Sequence, residues 1–266
     1  TITAVSFVLI IGFKFNWEGR LIGIITGTIV FSLISLGFII KRDYLVFNIR
    51  KDHLKDALFF GVPLIPHQLS TWIKTSLDRV ILISTLGANI MGIYAVAYQV
   101  ALVIDVLVFS FNKAWSPYIN KTLSKNPTVQ EKKNIVRFSY LYFITILTIS
   151  IVFIYFIKLL LPYFLGEKFN SAFQYIPYFS ISFAFTGMYY MITNYIFYTK
   201  KTYLLSIITF ISSVLHLGTL YVLTKSNGAI GAAQATLISS FITFLMTWVV
   251  SCKIYEMPWK IWKTYD

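Results

Sequence analysis

Apolar runs interrupt this chain so often that water cannot be its only solvent. Segments such as Ile24 to Ile40 and Phe143 to Leu161 are apolar nearly throughout. A helix crossing a bilayer needs about 20 such residues in a row. A membrane strand would instead alternate apolar and polar side chains at every second position. The runs therefore predict helices. Charged residues make up 12% of the 266 positions and hydrophobic ones 57%, about half the charge of an ordinary soluble domain. The predicted class is an all-α polytopic membrane protein.

Seven complete spans are expected near Gly23–Ile40, Ala57–Ser84, Gly92–Asn120, Ile135–Leu161, Phe173–Thr199, Tyr203–Leu223 and Ala229–Val250. Thr1 to Phe13 is apolar but too short for a span, so the chain is expected to begin inside a truncated helix. The connectors alternate in charge. Lys41–Asp56, Lys121–Lys133 with Arg137, Lys200–Lys201 and the C-terminal tail hold 15 of the 23 Lys and Arg residues; the intervening set holds five. Basic connectors mark the cytoplasmic side, so the C terminus is expected in the cytoplasm. The net charge of +13 then reads as topology and contact with anionic membrane lipids, and nucleic acid is not an expected partner.

Five charges fall inside apolar stretches: Lys74, Asp78, Arg79, Asp105 and Lys113. Charge at membrane depth is costly, and such residues usually face a bundle interior or a wet cavity. Steps of three and four place His67, Thr71, Lys74 and Asp78 on one helical stripe, with Arg79 beside it. Tyr94, Tyr98, Asp105 and Asn112 form a second stripe. Counted from Ala88, Lys74 and Asp105 differ in depth by only about 4–5 Å at helical rise, which suggests a pair across the two helices. Asp78 is also one turn from Lys74. Two uses remain open: structural ion pairs that hold helices in register, or a cationic cavity for an anionic head group. Asp78 and Arg79 could also snorkel to the outer interface, and Lys113 to the inner one.

Other signals are weaker. His216 stands alone among Ser and Leu residues and reads as structural. Tyr189, Tyr190 and Asn194 could contact sugar, although packing and interfacial belts explain such residues as well. Pro63, Pro66 and Pro117 lie within spans and would break helical hydrogen bonding. Gly228-Ala229-Ile230-Gly231-Ala232-Ala233 permits close helix approach and lacks the pattern of a phosphate loop. The single Cys252 and three widely spaced histidines offer no disulfide and no metal site. No catalytic cluster stands out, so an enzyme is not expected.

Gly61-Val62-Pro63-Leu64-Ile65-Pro66-His67, Ser76-Leu77-Asp78-Arg79, Gly92-Ile93-Tyr94-Ala95-Val96-Ala97-Tyr98 and Ala114-Trp115-Ser116-Pro117 form one ordered series. It resembles the start of the second half of Wzx-type oligosaccharide flippases, the polysaccharide transport family of the MOP superfamily. The resemblance implies the C-terminal half of a two-bundle, MATE-like transporter. Residues 1–40 would end the N-terminal bundle, 41–56 would be a cytoplasmic inter-bundle loop, 57–253 a six-helix bundle and 254–266 a cytoplasmic tail. It further implies a multi-pass protein of the bacterial cytoplasmic membrane that moves polyprenyl-diphosphate-linked oligosaccharide from the inner to the outer leaflet. Lys74, Arg79, Lys113, Asp78, Asp105, His67 and Tyr98 would line its cavity. No cofactor is implied beyond coupling to a proton or sodium gradient, carried by Asp78 or Asp105. A polysaccharide polymerase and export machinery would be partners. The competing expectation is a MATE-like small-molecule antiporter.

Overall fold

Long apolar runs joined by short connectors must stack as neighbouring helices, since backbone groups in lipid have no water to bond. The computed structural model describes residues 6, 8–12, 15, 17–44, 50–164 and 167–260. The chain divides into two compact units, Thr1–Ala57 and Leu58–Asp266. In the first, a π-helical turn at Val8–Gly12 packs against α1 (Trp17–Lys41). Thr26 and Thr28 donate their hydroxyls to carbonyls four residues back, which suits a helix with an apolar exterior. Most of the expected truncated helix and residues 261–266 of the expected tail lie outside the described residues.

Helix α2 (Lys51–Gly61) is a difference from the sequence expectation, which continues a loop to Asp56 and starts a span at Ala57. The chain instead turns at Val62–Pro63, and α3 (Leu64–Leu86) begins there. Pro63 and Pro66 fall at the start of α3, where a missing N–H leaves no helical bond unmade. Gly87 alone joins α3 to α4 (Ala88–Leu123), at a φ of +85° that favours glycine. Helix α5 (Val129–Phe164) opens with a capping box. The Thr128 amide donates to Glu131 at 2.7 Å, and the Glu131 amide donates back to the Thr128 hydroxyl at 3.3 Å.

After a 3-10 segment at Glu167–Gln174 comes α6 (Ile176–Tyr198), the most enclosed helix of the second unit. It packs against α4, α5 and the last helix, α7 (Thr202–Ile254). Gly187 lets it approach closely: a Cβ there would lie 2.6 Å from Val108 and 2.8 Å from the Tyr142 hydroxyl. Helix α7 is one element in name only. Ser212 bonds Ser239 and Thr243, 27 and 31 residues later. At about 1.5 Å per residue a straight helix would hold them roughly 40 Å apart. The chain therefore reverses near Gly228, whose φ of +59° is non-helical. Two antiparallel arms result.

Large apolar side chains such as Leu33, Trp72, Val106 and Phe210 are exposed, while the interior mixes apolar side chains such as Leu82 and Phe179 with small polar ones such as Ser212. An apolar exterior suits a lipid surround. Among the described residues, four helices are long and apolar enough to cross a membrane: α1, α4, α5 and α7. The sequence predicts seven complete spans. The smaller number arises because α3 carries three charges, α6 is rich in Tyr, Ser and Thr, and α7 counts once though it folds back.

The turn at Gly228 brings Gly231 against Leu223, where a Cβ would overlap the Leu223 carbonyl. We expect Gly231→Ala to destabilise the protein by about 1–3 kcal/mol through overpacking, read as a lowered Tm in detergent. An unchanged Tm would show that the two arms do not meet so closely.

Candidate functional site

A helix that carries Lys74 and Asp78 through lipid must find polar partners, and α3 finds them on the first arm of α7. Thr202 donates to the Phe60 carbonyl at 3.1 Å, and Ser206 donates to the carbonyl of Pro63. His67 Nδ1 lies 3.1 Å from the Thr209 hydroxyl. Lys74 Nζ donates to Ser212 at 2.7 Å and to Thr243, on the second arm, at 3.1 Å. His216 Nε2 lies 2.7 Å from Asp78 Oδ1. Both series of numbers rise together, so α3 and this arm run parallel. The result is a polar seam between two otherwise apolar helices.

The seam forms one wall of a cavity of about 480 Å³. Lys74, Asp78 and Arg79 border it from α3, with His67 at one end. Helix α4 contributes Tyr98, Asp105 and Phe109, and α6 contributes Ser182, Tyr189 and Tyr190. Thr236, Ser240 and Thr243 border it from the second arm of α7. One side is thus cationic and rich in hydroxyls, and the other is largely aromatic. Asp78 is the most engaged group. Besides His216, its other oxygen accepts from Thr236 at 3.1 Å and from Tyr94 at 3.3 Å.

Six of the seven side chains singled out in the sequence, His67, Lys74, Asp78, Arg79, Tyr98 and Asp105, border this one cavity. Lys113 does not. Its ammonium lies 4.7 Å above the ring of Phe109, one turn back along α4. The expected Lys74–Asp105 pair is also absent: among the described residues the only ion pair is His216–Asp78. Depth alone suggested the pair, but the hydroxyls of α7 lie closer to the Lys74 ammonium. Asn194 is buried and bonds Asn112 at 3.2 Å, so it does not face the cavity.

The sequence left out the other wall. Thr209, Ser212 and His216 recur at steps of three and four, as do Thr236, Ser240, Thr243, Thr247 and Ser251. Both stripes are visible once sought. They carry little signal on their own, because Ser and Thr in membrane helices so often bond their own helix's carbonyls. Thr247 does just that, donating to Thr243 at 2.7 Å.

Residues 1–123 match the family of polysaccharide biosynthesis proteins. That stretch contains the whole ordered series from Gly61 to Pro117, and the resemblance to polysaccharide transporters rests on it. A product of the Lsg locus of Haemophilus influenzae is 28% identical over 239 residues, covering 85% of this chain and 58% of that protein. An uncharacterized membrane protein of the same organism is 30% identical over 199 residues, covering 71% of this chain and 48% of that one. The chain thus spans about half the length of these relatives. Crystal structures of MATE in the straight and bent conformations superpose with TM-scores of 0.67 and 0.68, both at 17% identity. Each covers 95% of this chain, which spans 59% and 58% of those proteins. The fold is MATE-like.

Asp78 is 7% exposed and His216 1%, so neither can turn to water if the other is removed. Removing one partner of a buried pair costs about 3–5 kcal/mol. We expect His216→Leu to lose that much stability in thermal unfolding. His216→Gln, whose amide can still donate to Asp78, should lose clearly less. Equal losses would mean that the bond to Asp78 contributes little.

Proposed function

We propose that this chain is the C-terminal portion of a flippase that moves polyprenyl-diphosphate-linked oligosaccharide from the inner to the outer leaflet, for surface polysaccharide such as O-antigen, capsule or exopolysaccharide. The observation that carries this is the state of Lys74. Its ammonium is held by the hydroxyls of Ser212 and Thr243, and among the described residues no carboxylate lies within 4 Å of it. Hydroxyls accept its hydrogen bonds without cancelling its charge. A cation so placed, beside Arg79, is suited to an anion that hydrocarbon would otherwise exclude. Asp78, by contrast, already accepts from three donors.

The diphosphate and the lipid carrier come from the family resemblance. The cavity fits them in two respects. Its cationic side can receive phosphate oxygens, and the rings of Tyr98, Phe109 and Tyr190 on the other side offer faces for sugar C–H groups. The polyprenyl tail would remain in lipid while the head group passes. In this assignment the chain supplies seven complete spans and the end of an eighth, with α3, α6 and both arms of α7 crossing the membrane. Residues 57–253 form the C-terminal six-helix bundle, 41–56 link it to the preceding bundle, and 254–266 form a tail. The basic connectors and the C terminus face the cytoplasm of a bacterial inner membrane. A polymerase and export machinery would take up the product, and a proton or sodium gradient would drive the cycle by alternating access.

A MATE-like small-molecule antiporter is the competing function, favoured by the shared fold. With Lys113 outside the cavity, two basic and two acidic side chains border it besides histidine, so the count of charges does not separate the two cargos. Lys74→Ala and Arg79→Ala in the full-length protein provide the separation. We expect both to reduce surface polysaccharide at least tenfold, about 1.4 kcal/mol or more in transition-state terms, with membrane insertion intact. Lys74→Arg should retain part of the activity. Normal surface polysaccharide in both alanine variants, or loss of cationic-dye export instead, would overturn the assignment.

A further inference from the structure

We infer that a cleft between α4 and α5 is a lipid site, separate from the cavity, that takes one phospholipid with a primary-amine head group from the cytoplasmic leaflet. The inference uses the membrane orientation proposed above and is independent of the cargo.

Helices α4 and α5 are consecutive, yet their backbones barely approach one another; each leans on α6 instead. Rings fill part of the space between them. Phe111 of α4 stacks on Tyr142 of α5 with centroids 4.3 Å apart, and Trp115 on Phe138 at 4.9 Å. A cleft of about 560 Å³ remains, within the range of small-molecule sites. It shares no residue with the cavity. Phe109 borders the cavity and Phe111 the cleft, and two steps turn a helix by about 200°.

The cleft is polar at one end. Phe111, Ala114 and Phe138 line its apolar part, and Thr122 and Glu131 the end beside the turn at 124–128. Counted along α4 from the turn at Gly87, Phe111 lies roughly 36 Å away and Thr122 roughly 52 Å. The hydrocarbon layer is about 30 Å thick. With Gly87 at the outer surface, the polar end therefore lies among the head groups of the inner leaflet, and the apolar end faces their chains. That is the polarity of a phospholipid.

The charges select the head group. Between Phe111 and Phe138 the sequence holds six Lys and Arg residues and a single acid, Glu131. Glu131 borders the cleft, and none of the six cations does. One Glu131 oxygen accepts from the Thr128 amide at 2.7 Å and from its hydroxyl at 3.0 Å. The carboxylate forms no ion pair among the described residues. Thr122 has already given its hydrogen to the Tyr118 carbonyl at 2.9 Å, so its oxygen is left to accept. Acceptors inside and cations outside fit a zwitterion whose ammonium points in and whose phosphate stays out. The ammonium supplies donors to Glu131 and Thr122, and the surrounding Lys and Arg meet the phosphate. A purely anionic head group would bring its charge against Glu131.

The test compares three lipids. The full-length protein in detergent is titrated with dioleoyl phosphatidylethanolamine, phosphatidylglycerol or phosphatidylcholine, and the first bound lipid is quantified by native mass spectrometry. We expect the ethanolamine lipid to bind about tenfold tighter than the glycerol lipid, the effect of one hydrogen bond to a charged group. Glu131→Gln keeps the capping box, which glutamine also forms, and should bring the two lipids within about twofold of each other. Ala114→Trp fills the apolar part and should remove the tight binding with Tm unchanged. Equal binding of the two lipids, or tighter binding of phosphatidylglycerol, overturns the inference. So does a preference that survives Glu131→Gln or Ala114→Trp. Should either variant fail to fold, phosphatidylcholine decides on the wild type. Its trimethylammonium carries the same charge but has no N–H to donate, so it should bind about fivefold weaker or more than phosphatidylethanolamine; equal binding overturns the inference. None of these outcomes bears on the flippase assignment, which the Lys74 and Arg79 variants test.

Discussion

The polar seam between α3 and the first arm of α7 is the contact on which the rest of the second unit depends. Lipid gives apolar helices little reason to prefer one another, so packing and hydrogen bonds decide which faces meet. Here the contacts of Phe60 and Pro63, just ahead of α3, and of His67, Lys74 and Asp78 on it follow the first arm in the same order. They set the helix pair, its parallel direction and its register together. A slip of one turn would part Lys74 from Ser212 and Asp78 from His216. The cavity wall is the exposed edge of the same seam, so the groups that hold the helices together are those that a ligand would meet.

Ser212 shows how structure and site share atoms. It bonds Lys74 on α3, while Thr243 of the second arm bonds both Ser212 and Lys74. Three helical segments thus converge on one ammonium. Polar networks of this kind are rigid when all members are satisfied and costly when they are not. The aromatic side of the cavity is of another kind. Tyr98 packs edge-on against Phe179 and Phe183, contacts that fix the ring by shape at the border of the cavity.

Half of this wall was legible in the sequence. The α3 stripe could be read because charge stands out in an apolar run and helical periodicity places His67, Lys74 and Asp78 on one face. The turn at Gly228 was legible because one apolar run ends at Leu223 and the next begins at Ala229, with Lys225–Gly228 between them. The partner of the stripe was not legible. Depth from Ala88 selected Asp105 for Lys74, but depth is one coordinate of three, and it omitted a third helix that arrives more than a hundred residues later. His216 looked structural because it stands alone in sequence; its significance comes from Asp78, 138 residues away. Lys113 failed for a rotational reason, lying back along its own helix over Phe109. The helix at Lys51–Gly61 is not legible, because its charged start resembles a connector and its apolar end resembles a span.

The parallel direction of the seam has a consequence for how the protein is made. Parallel neighbours joined by short connectors cannot be consecutive, and α4, α5 and α6 lie between α3 and α7. Lys74 and Asp78 leave the ribosome 138 residues before Ser212 and His216 respectively, and at about 5–20 residues per second that is a wait of roughly 7–28 seconds. Throughout it, α3 carries its charges without the hydroxyls and imidazole that will satisfy them. Tyr94, which reaches Asp78 across the turn at Gly87, is the first native partner to arrive. A chain arrested before α7 would hold a charged helix with its main partners still unmade, which gives membrane quality control a direct means of telling an unfinished copy from a complete one.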